Sequence, residues 1–218
     1  MAPEWGVITG YGEHGRVFYC RTYFDKDFWN ENQDYLESDF WPFLIMHFGE
    51  KKARPSDLDN LRASLHTLLQ SFEAEYSSGY FQGAQAYERL IAGLRNDGLW
   101  DQGNSKDEIH RRLAVNDYLL LNLIDARRCA AEYLSAHVSL LRGEKADLLT
   151  EMASLYRGMA EKLGAFRCKL KASDGESLRY NAIDTKVSPR FLKEQASLLE
   201  SMLQVERAIA GMARQILV

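Results

Sequence analysis

The stretch Leu113–Leu141, LAVNDYLLLNLIDARRCAAEYLSAHVSLL, decides the fold class. It contains neither Gly nor Pro and is far too long and too apolar for a strand. At about 100° per residue, Leu119, Leu120, Leu123, Ala130, Leu134, Val138 and Leu141 share one broad face. Tyr118, Ile124, Cys129 and Ala131 widen the apolar surface, and the polar strip reduces to Asp117, Asp125, Arg128, Glu132, Ser135 and Ser139. A helix apolar over most of its circumference belongs at the centre of a bundle, with Cys129 a packed thiol. Asn116 and Arg127 interrupt the apolar face about three turns apart.

On both sides of this helix the chain reads as further helices. Ser56 caps a segment with Leu58, Leu61, Leu65, Leu68, Leu69 and Phe72 in a stripe. Tyr76–Gly83, YSSGYFQG, opens a helix carrying Tyr87, Leu90, Ile91 and Leu94, which Asn96-Asp-Gly98 ends. Ser105 with Glu108 has capping-box spacing at the start of the long helix. Another helix is expected over 144–163, then a polar loop over 169–186. Ser188-Pro189 starts a last helix that runs nearly to Val218.

The first 50 residues differ in kind. They hold half of the aromatic residues and three of the four Trp. Trp5–Thr9 and Arg16–Tyr23 read as strands joined by the turn GYGEHG, and Phe40–Phe48 reads as a third strand. The intervening Asp25–Asp39 is acidic; its spacing fails the calcium-loop pattern, so a solvated loop is expected. The fold class is therefore α+β and mainly α. Residues 1–52 form a small antiparallel β layer, and residues 53–218 form a bundle of about five helices.

Composition excludes several functions. The net charge of −4 provides no basic field for nucleic acid, and no apolar run spans a bilayer. The N-terminus lacks the pattern of a signal peptide, and three widely spaced Cys without a C-x-x-C pair suit a reducing compartment. A cytoplasmic protein is expected. Asp107 with His110 is the lone acid–His pair at di-metal spacing on a helix, and the glycine patterns of nucleotide sites are missing, so no metal or cofactor is expected. Cys20 near Glu4 and His14 is a weak nucleophile candidate, for which a structural role is preferred. On the last helix Glu206 falls among Leu199, Met202, Leu203, Ile209, Ala210 and Ala213. A carboxylate there needs a partner; Arg127 is expected to supply it within one polar cluster that includes Asn116.

The chain resembles the BtrH-like (butirosin biosynthesis H-like) papain-fold cysteine proteins. The resemblance is carried by Pro3-Glu-Trp-Gly-Val-Ile-Thr-Gly-Tyr11, Gly15-Arg-Val-Phe-Tyr19, Arg21-Thr-Tyr-Phe-Asp25, Trp41-Pro-Phe-Leu-Ile45 and Gly49-Glu-Lys51. The helical part adds Gly83-Ala-Gln-Ala-Tyr-Glu88, Asp125-Ala-Arg-Arg128 with Ala131-Glu-Tyr-Leu134, and Glu194-Gln-Ala through Glu206. It implies that residues 1–52 are half of a papain-like fold and that the chain corresponds to the C-terminal two-thirds of such a protein. The family's Cys-bearing N-terminal half has no counterpart here, and Glu4 stands where related peptidases carry a His. The function this implies is non-catalytic: pocket walls or a partner surface, with a separate N-terminal half or a second copy of the chain as partner. The alternative is a thiol-dependent acyltransferase or amide hydrolase whose nucleophilic Cys comes from another segment.

Overall fold

In the computed structural model, which describes residues 6–22, 36–37, 46, 49–77, 79–101, 103–173 and 189–218, the chain divides into Met1–Ala53 and Arg54–Val218. The protein is mainly helical, with small antiparallel sheets.

In the first unit, β1 (Gly6–Gly12) and β2 (Val17–Thr22) form an antiparallel hairpin. The turn between them holds Glu13, His14 and Gly15 at φ of 47°, 57° and 88°, the left-handed values that a tight reversal needs. A bulge separates Ile8 from Gly10, and the Thr9 hydroxyl donates to the Tyr19 carbonyl at 3.1 Å. The third strand, β3, is Leu36–Glu37, paired with Cys20 and Tyr19. This corrects the expectation of a loop there: two residues are too few for a strand period to show in the sequence, and the surrounding carboxylates dominate the stretch. The expected strand Phe40–Phe48 lies outside the described residues except Met46, which is exposed.

The second unit begins with α1 (Asp57–Glu73), capped where the Ser56 hydroxyl accepts from the Asp59 amide at 3.1 Å. YSSGYFQG leads into the next helix, whose N-cap is Gln82, but it also holds strands that were not expected. It forms a two-stranded ribbon, β4 (Tyr76–Ser77) and β5 (Tyr80–Phe81), turning at Gly79 with φ 88°. A left-handed glycine between Tyr76-Ser77 and Tyr80-Phe81 suits a tight reversal, and helical periodicity resumes only after it. Then come α2 (Gly83–Arg95), one turn of α3 (Asp97–Trp100), and α4 (Lys106–His137), capped by Ser105 on the Glu108 amide. α5 runs Glu144–Ser173, ten residues past the expected end, and α6 runs Pro189–Leu217. The extension follows from Phe166, which is buried and stacks on Phe191 with centroids 4.6 Å apart.

Side-chain pairs set the helix directions. Arg167–Asp117 and Arg157–Ser135 run in opposite order along α5 and α4, so these two are antiparallel. Asn116–Gln195 and Arg127–Glu206 run in the same order with the same separation of 79 residues, so α4 and α6 are parallel. Tyr87–Glu206 and Arg95–Glu200 make α2 antiparallel to α6.

The hub of the bundle is α6 rather than α4, which is a further correction. α6 packs against α1, α2 and α5 and buries Leu192, Gln195, Ala196, Leu199, Met202, Leu203, Glu206, Ile209, Ala210, Ala213 and Ile216. α4 buries Ile109, Leu113, Asn116, Leu120, Ala131 and Leu134. Leu119, expected inside, is 45 % exposed, and Cys129 is an exposed thiol. The width of an apolar surface reports composition; which side of it is covered depends on the neighbours, and α6 concentrates its apolar residues on one face.

Candidate functional site

The two long helices α4 and α6 carry polar residues on their facing sides at equal spacing. Asn116 to Arg127 and Gln195 to Glu206 are both eleven residues, about three turns, so each pair of residues stays on one stripe of its helix. Two separate polar layers result.

The first is Asn116 with Gln195, at 6 % and 0 % exposure. The Asn116 amide donates to Gln195 Oε1 at 2.9 Å and the Gln195 amide donates back to Asn116 Oδ1 at 2.7 Å. Such a reciprocal amide pair removes the desolvation penalty that either residue would carry alone. Asn116 therefore does not join Arg127 and Glu206. Its partner Gln195 was not foreseen, although its position eleven residues before Glu206 repeats the Asn116–Arg127 interval.

The second layer is built around Glu206, 5 % exposed. Arg127 Nε donates to Glu206 Oε1 at 2.5 Å, Tyr87 donates to the same oxygen at 3.1 Å, and Tyr156 reaches Oε2 at 3.5 Å. The Arg127 guanidinium also lies 5.3 Å from the centre of the Tyr156 ring, within cation–π range. Four helices thus converge on one carboxylate: α2, α4, α5 and α6. Burial works against the charge on Arg127, yet Glu206 and the two phenols hold its pKa above the ordinary value. Burial raises the pKa of Tyr87 and Tyr156, and the Glu206 charge raises both further. In the sequence Tyr87 reads only as an apolar stripe residue, and Tyr156 falls within the helix expected over 144–163 with nothing to mark it.

The raised phenols predict an alkaline limit to stability. Both stay protonated in the folded chain above pH 10, where unfolded tyrosines ionise. Their contribution is full below pH ~10 and falls as the pH rises beyond it, because the unfolded state then releases protons that the folded state keeps. Absorbance of phenolate at 295 nm should show a late cooperative step coincident with loss of helical circular dichroism. Tyr87→Phe should reduce that step; ionisation of every tyrosine before unfolding would contradict the arrangement.

This cluster is chemically closed. Among the described residues no buried side-chain nitrogen or oxygen lacks a partner. Two surface clefts flank the bundle, about 660 Å³ between α2 and α6 and about 640 Å³ between α1 and α4, and neither is lined by Arg127 or Glu206. The first is bordered by the exposed ion pairs Arg95–Glu200 and Glu88–Arg207. In the second, Tyr133 links to Ser64 at 3.1 Å and its ring lies tilted against His137, with centroids 4.3 Å apart. No three His, Cys, Asp or Glu side chains gather as a metal site among the described residues, and no described helix is long and apolar enough to cross a membrane.

Of the thiol candidates, Glu4 lies outside the described residues. Cys20 sits within β2, its backbone register opposite Ile8 and Leu36, while His14 is in the turn at the far end of that hairpin.

What the helical unit does present is an apolar ridge. Val115, Tyr118, Leu119 and Leu121 on α4 are 59 %, 58 %, 45 % and 44 % exposed. Val115, Tyr118, Leu119 and Asn122 follow the i, i+3, i+4, i+7 spacing of one helix face, opposite Leu113, Asn116 and Leu120. Large apolar side chains clustered in this way on a surface helix mark an interaction site more often than scattered ones do. Comparison of the chain with protein-family models, with curated proteins and with solved structures returned no match.

Proposed function

We propose that this chain is a non-catalytic partner-binding unit, the role expected of the nucleophile-free portion of a BtrH-like papain-fold protein. One observation carries the reading: the conspicuous buried charges are saturated by one another, whereas the apolar ridge of α4 faces outward. A catalytic cluster has to offer a reacting group to a substrate and keep donors free for the developing charge. The Glu206 cluster spends its donors on its own carboxylate. It joins four helices and leaves no donor over for a substrate.

The test uses the intact chain. Thiol-reactive acyl probes are expected to label Cys20 no faster than a free peptide thiol, as measured by mass spectrometry of the digested adduct. Rapid, stoichiometric labelling at Cys20 would overturn the non-catalytic reading in favour of a thiol-dependent acyltransferase or amide hydrolase.

A further inference from the structure

Resting on the reading of α4 as a partner surface, we propose that its partner is a second copy of this chain, docked ridge to ridge in an antiparallel, twofold-symmetric pair with the axis beside Tyr118. A helix face that meets itself across a twofold axis brings each position before the axis level with the corresponding position after it. With the axis at Tyr118, Arg111 lies seven positions before and Asp125 seven positions after. Each Arg111 therefore comes level with Asp125 of the second copy, twice per dimer, and both residues lie on the exposed side of α4.

The charges favour this alignment specifically. Arg111 has no ion-pair partner among the described residues. Asp125 holds Arg128 at 2.6 Å through Oδ1, leaving Oδ2 with no partner among the described residues. A parallel pairing would instead set Arg111 against Arg111 and Asp125 against Asp125. Between the two ion pairs Tyr118 meets Tyr118, and Val115 comes level with Leu121 of the second copy, both of them exposed apolar side chains. From Arg111 to Asp125 the contact is about 21 Å long. A single helix pair of that length belongs to the small, weak class of interfaces, so the dimer should form in the micromolar range or above.

The experiment is sedimentation equilibrium of the full chain in reducing buffer from about 10 to 500 μM, a span that covers weak association. Wild type should dimerise reversibly, and Leu119→Glu should be monomeric throughout. Arg111→Asp and Asp125→Arg should each weaken the dimer by about tenfold, and the doubly swapped chain should recover wild-type affinity to within about threefold. All three substitutions are at exposed positions, and unchanged helical circular dichroism checks that each variant folds. Failure of the double swap to restore affinity would overturn the antiparallel pairing. A wild type that stays monomeric would overturn self-association altogether, and binding of a hydrophobic dye then separates the two ideas. Dye binding lost in Leu119→Glu would leave the ridge as a surface for a different partner; dye binding that ignores Leu119→Glu would remove the partner-surface reading as well.

Discussion

Arg127→Met is expected to destabilise the protein by about 3–5 kcal/mol, read from urea midpoints at unchanged m value, because it leaves the Glu206 carboxylate buried with only two phenols for company. Glu206→Gln should cost less, about 1–2 kcal/mol. The asymmetry comes from burial: the Arg127 side chain is 22 % exposed and can turn its charge toward water, whereas Glu206 cannot. The double variant should be more stable than the sum of the two losses implies, since neither charge is then stranded. Strictly additive losses would mean that the pair does not act as a unit. The same reasoning predicts no thiol or hydrolytic activity to be lost with either residue, which separates this structural role from a catalytic one.

Gly83→Ala should cost about 3 kcal/mol, the second-largest effect. Gly83 opens α2 at φ 52°, and a Cβ there would drive into the Phe72 carbonyl and lie 2.7 Å from the Ser71 carbonyl oxygen. These are backbone atoms of the last turn of α1, so no rotamer change relieves the clash. Gly93, inside the same helix, is the control: a Cβ there meets nothing within 4 Å, and Gly93→Ala should stabilise by about 0.5–1 kcal/mol. Equal effects at the two glycines would show that the approach of α1 to α2 is not as close as it stands.

Periodicity and end signals made the helices legible. Ser56, Ser105 and Pro189 stand where helices begin, and α6 announces its inward face through Leu199, Met202, Leu203 and Ile209. Pairing was legible only where physical need forced it: a carboxylate among apolar neighbours has to find a cation, and Arg127 is the cation on an apolar stripe. The amide pair escaped notice because Asn116 and Gln195 each satisfy their needs in many ways, so neither implies the other without coordinates. Which helix is central is hidden for a related reason. Val115, Tyr118, Leu119 and Leu121 are as apolar as core residues, and hydropathy alone does not reveal that they face outward. The ribbon at Tyr76–Phe81 is too short for alternation to register against the helices on both sides.

The shared separation of 79 residues between Asn116 and Gln195 and between Arg127 and Glu206 bears on how the chain reaches its fold. Neither contact can close until α5 has doubled back and returned the chain to α4, so both belong to the late, entropically expensive part of folding. They also close together or not at all. If α6 docked one turn out of step, Asn116, Gln195, Arg127 and Glu206 would all lose their present partners at once, so a misaligned bundle is penalised at both layers. Substitution at either layer should therefore speed unfolding far more than it slows folding. The pairs act as a proofreading latch, silent during collapse and decisive once the helices have met.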